Sequence, residues 1–285
     1  MSGRMFSRGA RRRRAMGLAT VLGLAKRGFF IPYRYANQVP GPDRRPPYAG
    51  LEALLAARED AFRAVLAEID GLADALRAIG GDPPAPRWQQ DWFPRLDGAA
   101  AYSLIRTRAP ARIVEVGSGH STRFFARAVA DGGTTTRITA IDPTPRADIG
   151  ALGAEIITKT VQDAGTAPFS ALAPGDVLSI DSSHILMPGT DVDFLLNVVL
   201  PLLPAGALVH VHDIFLPDDY PADWAWRGYN EQLGIGALVQ GGGFAILWSS
   251  RYVATRMTEA IGRSVVASLP IGAGAFESSL WLEKR

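Results

Sequence analysis

The 285-residue chain has no cysteine, four histidines, and no apolar run near the roughly 18–20 residues that a membrane-spanning helix requires. The first absence excludes disulfides and thiolate metal sites, and it fits a cytoplasmic location. The scarcity of histidine makes each one worth placing: His120, His184, His210 and His212. Acid is missing from one end. Residues 1–34 hold nine Lys/Arg and no Asp or Glu, so the remainder carries 21 basic and 28 acidic residues behind a net charge of +2. The body therefore has no global basic footprint for nucleic acid.

What is present is ordinary globular material, with 47% hydrophobic and 20% charged residues. That is enough for one large domain or a core domain with an added lobe. The N-terminal tail has a basic block (Arg11 to Arg14), an 11-residue apolar stretch from Ala15 to Ala25, and a second basic pair, Lys26 and Arg27. No small-residue cleavage site follows the apolar stretch, which argues against a signal peptide. The tail at 1–34 is compatible with peripheral contact at an anionic membrane surface, and more simply with an extension packed on the body. "VPGPDRRPPYAG" at 39–50 is a Pro/Gly-rich linker. Helical periodicity follows over 51–79, with Leu55, Phe62, Leu66, Ile69, Leu72, Leu76 and Ile79 on one face. That face is expected to pack on the main domain or on a second copy of the chain. The expected division is residues 1–94 as tail, linker and helical extension, and 95–285 as the main domain.

From residue 95 helices and strands alternate. The strands are "RIVEVG", "RITAID", "AEIITK", "DVLSID", "ALVHVHDI", "FAILWSS" and "SSLWLEK". Most are apolar on both faces, as parallel strands between helix layers must be. The expected fold is α/β: a doubly wound, mostly parallel, seven-stranded Rossmann-like sheet.

Ligands bind such sheets where a strand turns into a helix. "EVGSGHST" places Gly117 and Gly119 at that turn, where side chains would block close backbone approach. A dinucleotide fingerprint wants Gly or Ala at the third position, and Thr122 stands there. Glu115 would repel a pyrophosphate and suits an amine-bearing ligand. A nicotinamide oxidoreductase is therefore the weaker alternative, and a non-catalytic binding scaffold on the same fold is another.

The E-x-G-x-G pattern, followed by "IDP", "IDSSH" and "HDI" at strand ends, resembles the class I S-adenosylmethionine-dependent methyltransferases. It is most similar to the group related to sugar and antibiotic O-methyltransferases. The resemblance covers roughly residues 95–285 and implies S-adenosylmethionine as cofactor. It further implies that the loop Gly117–Ser118–Gly119 with Ser121 backs the methionine part, and that Glu115 orients its amino group. Asp142 would accept the ribose hydroxyls, Asp163 would lie near the adenine amine, and Asp181 would close the cofactor site.

For an alcohol acceptor the enzyme must hold the hydroxyl in line and take its proton. Titratable groups gather at two strand ends: Asp181 and His184, then His210, His212 and Asp213. Strand alternation leaves His210 deeper than His212. Two mechanisms fit. In one, His184 or His212, with Asp213, is the general base. In the other, Asp181, His212 and Asp213 hold a divalent ion that acidifies the hydroxyl; the imidazole would favour manganese, iron or zinc over magnesium. Trp224, Trp226 and Tyr229, in "FLPDDYPADWAWRGYNEQ", are candidate contacts for a small-molecule or glycan-like acceptor.

Overall fold

A computed structural model describes residues 8–145 and 149–285. The first seven residues of the basic tail, Arg4 included, lie outside the described residues. The chain divides into two compact units, one of residues 1–47 with 218–229 and one of residues 48–217 with 230–285.

In the first unit, α1 (Arg8–Val21) carries the basic block and buries none of its residues. Arg13 Nη1 donates to the carbonyl of Ala225 at 2.7 Å, and Arg45 pairs with Asp219 at 2.8 Å. Arg227 lies over three rings, with its guanidinium carbon 4.3 Å from the centroid of Trp224 and 5.3 Å from those of Trp226 and Tyr229. Among the described residues no helix is long and apolar enough to cross a membrane.

The second unit holds the sheet. Residues 51–79, expected as one helix, form three: α2 (Ala49–Ala56), α3 (Glu59–Asp70) and α4 (Ala73–Arg77). Non-helical dihedrals at Arg58 and Leu72 make the breaks, and the latter follows Gly71. The apolar stripe survives the breaks, since Leu55, Phe62, Leu66, Ile69 and Leu76 all enter the core. Next comes α5 (Arg95–Arg108), with everything from Leu96 to Ile105 buried. Its N-terminus is held from far along the chain, because the Glu277 carboxylate accepts from the Leu96 amide at 2.7 Å and from Arg95 Nε at 3.0 Å.

Seven strands follow: β1 (Arg112–Val116), β2 (Arg137–Ile141), β3 (Glu155–Ile157), β4 (Val177–Ile180), β5 (Leu208–Val211), β6 (Phe244–Ser249) and β7 (Leu280–Lys284). Between them run α6 (His120–Gly132) after β1, α7 (Val161–Ala164) after β3, and α8 (Asp191–Phe194) and α9 (Leu200–Leu202) after β4. A π-helical turn over Leu195–Val199 joins α8 to α9, and Pro201 lies inside α9. Helix α10 (Glu231–Gln240) precedes β6, while α11 (Ser250–Arg256) and α12 (Thr258–Arg263) precede β7.

The sheet order is β3-β2-β1-β4-β5-β7-β6, parallel except where β7 runs antiparallel to both neighbours. Strand order reverses between β1 and β4, which opens a crevice at their carboxyl ends. Register decides which residues meet there. Val116 pairs with Ile180, and Ile180 with Val211. Gly117, Asp181 and His212 therefore leave the sheet side by side.

Candidate active site at the strand ends

The turn after β1 is fixed by backbone contact. Gly117 has φ +87°, and a Cβ there would lie 1.9 Å from the carbonyl oxygen of Asp181. Only glycine fits. At Gly119 the constraint is absent, because a Cβ would meet nothing within 4 Å. That emptiness is room against the backbone at the start of α6, as a bound ligand needs.

Two acids hold the turn in shape. Glu115 is fully buried, and its two oxygens accept from the hydroxyls of Ser121 and Thr122, the latter at 2.5 Å. Thr122 also accepts from the Gly119 amide at 3.0 Å, so the residue standing where a third glycine was sought ties the turn to the strand acid. Burial pushes the Glu115 carboxyl up to about 8, despite the two hydroxyl donors. Asp142, just past β2, accepts from Ser118 Oγ at 2.6 Å and from the Thr144 amide at 2.8 Å. Each of its oxygens keeps a further lone pair. Asp163 is exposed on α7, where it accepts from Thr160 Oγ1 at 2.8 Å while its own amide donates back to that oxygen at 3.2 Å. This is a reciprocal helix cap.

At the ends of β4 and β5 the structure brings together Asp181, His184, His212 and Asp213. His184 Nε2 is 3.4 Å from Asp181 Oδ1 and 3.5 Å from Asp213 Oδ2, and its Nδ1 is 2.9 Å from Glu231 Oε2. His212 Nδ1 stands 3.6 Å from both Asp181 and Asp213, and its Nε2 is 3.3 Å from Asp97 Oδ2. Both His184 and Asp213 adopt left-handed backbone conformations, φ 59° and 56°. Such strain in non-glycine residues concentrates at functional sites. The His184 carbonyl accepts from the amides of Asn230 and Glu231, at 3.0 and 3.2 Å, which pins this loop to the start of α10.

Two imidazoles thus stand among four carboxylates. Burial alone would drive His184 toward neutrality, but its hydrogen bonds to Asp181 and Glu231 and the charges of Glu231 and Asp213 raise its pKa well above the ordinary imidazole value. His212 is likewise raised, with Asp213, Asp181 and Asp97 outweighing its burial. In return the histidines hold Asp181 and Asp97 below the usual carboxylate range against their own burial. Both rings are thereby shifted toward the imidazolium form. Asp181 is the open member, with 34% of its side chain exposed against 11% for Asp213 and none for Asp97 or Glu231.

Asp181, His212 and Asp213, the alternative ion site, do converge, but on one another. Among the described residues no three His, Asp or Glu side chains stand so as to hold a metal ion. His210 is separate: Nδ1 lies 2.9 Å from Ser179 Oγ and Nε2 2.9 Å from Ser279 Oγ, in full burial. Burial and the neighbouring His212 lower its pKa to about 3, so it is a neutral core residue.

Residues 114–214, which span this turn and both strand ends, match the family model described as a methyltransferase domain. This segment therefore carries the signature of a methyltransferase domain. No curated protein is similar to the chain at a significant level. Among solved structures the chain resembles the S-adenosylhomocysteine-bound methyltransferase PaMTH1 of Podospora anserina, at 16% identity over 90% of this chain and 99% of that one, TM-score 0.41. An O-methyltransferase of Bacillus cereus in complex with S-adenosylhomocysteine is similar at 11% identity over 78% and 91% of the chains, TM-score 0.41. MycE, a methyltransferase of the mycinamycin biosynthetic pathway in complex with Mg and S-adenosylhomocysteine, is similar at 15% identity over 76% and 54%, TM-score 0.39.

Two members of the strand-end cluster were not singled out from sequence. Asp97 and Glu231 sit in the first turns of α5 and α10, where an acid reads as an ordinary partner of the helix dipole. Asp97 also accepts from the amides of Ser278 and Ser279, at 3.1 and 2.9 Å, and so joins α5 to the start of β7. Trp224, Trp226 and Tyr229 belong to the first unit, gathered around Arg227.

Proposed function

We propose that the protein is an S-adenosylmethionine-dependent methyltransferase that methylates a hydroxyl oxygen of a small-molecule or glycan-like acceptor. The observation that carries this is the crevice inside the matched segment, where Gly117, Asp142 and Asp181 meet at the reversal of strand order. Bound there, S-adenosylmethionine would supply an electrophilic methyl group on a sulfonium. Gly117 and Gly119 let a ligand lie on the backbone, Asp142 has lone pairs for two ribose hydroxyls, and Glu115 with Ser121 fixes the turn beneath.

Asp181 is the acid that faces an acceptor, because it alone of the four is substantially exposed. It orients the hydroxyl by accepting its hydrogen bond. His184 and His212 keep Asp181 ionised while the cluster is at rest. Positive charge entering the crevice disfavours imidazolium, so a proton leaves to solvent, and His212 or His184, then neutral with Asp213 beside it, takes the acceptor proton.

Calorimetry with S-adenosylhomocysteine and with NADH tests the cofactor half. Binding of the first alone is expected, and binding of NADH alone overturns the proposal. Transfer of labelled methyl to an extract of small molecules tests the other half, with base-stable ether products expected for O-methylation.

A further inference from the structure

Arg123 is buried without a counter-charge. Only 8% of it is exposed, and its Nε and Nη1 are buried with no hydrogen-bond partner. A buried guanidinium is normally paired. Its charged neighbours make matters worse. Arg87 and Arg123 both depress the basicity of His120, and Arg87 depresses that of Arg123, in each case after burial. His120, brought to about 4, is neutral, and its Nδ1 is also buried without a partner. Arg87 itself has no ion pair or hydrogen bond among the described residues.

Two of these groups are placed together by geometry. His120 and Arg123 are three residues apart on α6, hence on one face of its first turns. The cap residue, Gly119, has no side chain to occupy the positive end of this 13-residue helix. Trp92, 65% exposed, stacks on His120 with centroids 5.3 Å apart and planes 20° apart. One residue on, Phe93 lies 5.3 Å from the His212 ring, so the same segment links this cationic corner to the strand-end cluster. A buried arginine with unpartnered nitrogens, a second arginine and an unsatisfied imidazole nitrogen at the start of a helix are the makings of an anion site.

We infer that Arg123, Arg87 and His120 form a subsite for a compact oxyanion, a carboxylate, phosphate or sulfate, beside the glycine turn. Two sources supply that chemistry: the carboxylate on the amino-acid part of the cofactor, which rests on the proposed function, or an acid group on the acceptor, which would make the substrate anionic.

Thermal unfolding of the full chain in sodium phosphate, against sodium chloride at equal ionic strength, reads the site without any turnover. Phosphate is expected to raise the wild-type midpoint by about 4 °C. Arg123→Gln should abolish that rise, and in chloride alone it should unfold no lower than wild type, because an uncompensated buried charge is gone. Arg87→Gln, on a half-exposed side chain, should retain the fold and at least halve the rise. Calorimetry then separates the sources. A tenfold or greater loss of S-adenosylhomocysteine affinity in Arg123→Gln, absent with its decarboxylated analogue, assigns the cofactor carboxylate. Unchanged affinity for both, with the phosphate response lost, assigns an acidic acceptor. An equal phosphate response in wild type and both variants overturns the inference. Should wild type bind no S-adenosylhomocysteine at all, the cofactor proposal fails while the phosphate comparison still decides the anion site.

Discussion

A Cβ at residue 117 would stand 1.9 Å from the carbonyl oxygen of Asp181. The turn after β1 and the strand end that carries the acid cluster are therefore in backbone contact, and neither can shift alone. Gly117→Ala must push them apart and also place a side chain at φ +87°. It should cost at least about 3 kcal/mol in stability and abolish S-adenosylhomocysteine binding. Denaturant unfolding and calorimetry check both, and an alanine variant that binds normally would mean that the crevice is not the ligand site.

Asp142→Ala tests the ribose assignment. Loss of charge-assisted hydrogen bonds should weaken S-adenosylhomocysteine binding by about 1.5–3 kcal/mol, with little change in fold, since the lost internal partners are one serine hydroxyl and one turn amide. Wild-type affinity in this variant would place the ribose elsewhere.

Glu115 should make stability fall as pH rises. Its carboxyl titrates near 8 when folded and near 4.5 in the free side chain, so unfolding releases a proton anywhere between. The contribution is whole below pH 4.5 and is lost through pH 8, by on the order of 4 kcal/mol. Glu115→Gln keeps the shape and removes the titration. Unfolding of the two proteins from pH 5 to 8.5 should give a flatter profile for the variant, and parallel profiles would refute the buried, protonated acid.

Asp97 acts through His212. The stabilisation that comes from the raised pKa of His212 is present in full below the ordinary imidazole value of 6.5 and is lost as pH rises through the folded value. In Asp97→Asn that loss begins at lower pH, and stability near pH 6 should drop by about 2 kcal/mol. Imidazole nitrogen NMR reports the state directly, with His212 protonated at pH 7.5 in wild type and less so in the variant. A wild-type His212 that titrates near 6.5 would sink this account of the cluster.

Much of this was open to inspection in the chain itself. Apolar runs such as "RIVEV" and "DVLSI" declare buried parallel strands, because a strand covered on both faces has no use for polar alternation. Gly117 and the acids and histidines at strand ends are likewise local: the residues after a strand must lie at its carboxyl end. Periodicity over 51–79 gave the buried face but not the two breaks, since one apolar stripe serves one helix or three.

The pairings were decided only by tertiary structure. Asp97 and Glu231 lie 115 and 47 residues from the histidines they touch, and in sequence each is one more acid at a helix start. His184 and His212 looked like neutral bases because nothing local shows how many carboxylates will surround them. Nothing local in the sequence marks Arg123, and only packing buries its Nε and Nη1 without a hydrogen-bond partner. The sequence by itself determined the strands, the glycine turn and the inventory of chemical groups, all of which follow from short-range periodicity and backbone stereochemistry. Charge state, burial and the identity of neighbours depend on which distant segments share a low-dielectric space, and that was settled only by the fold.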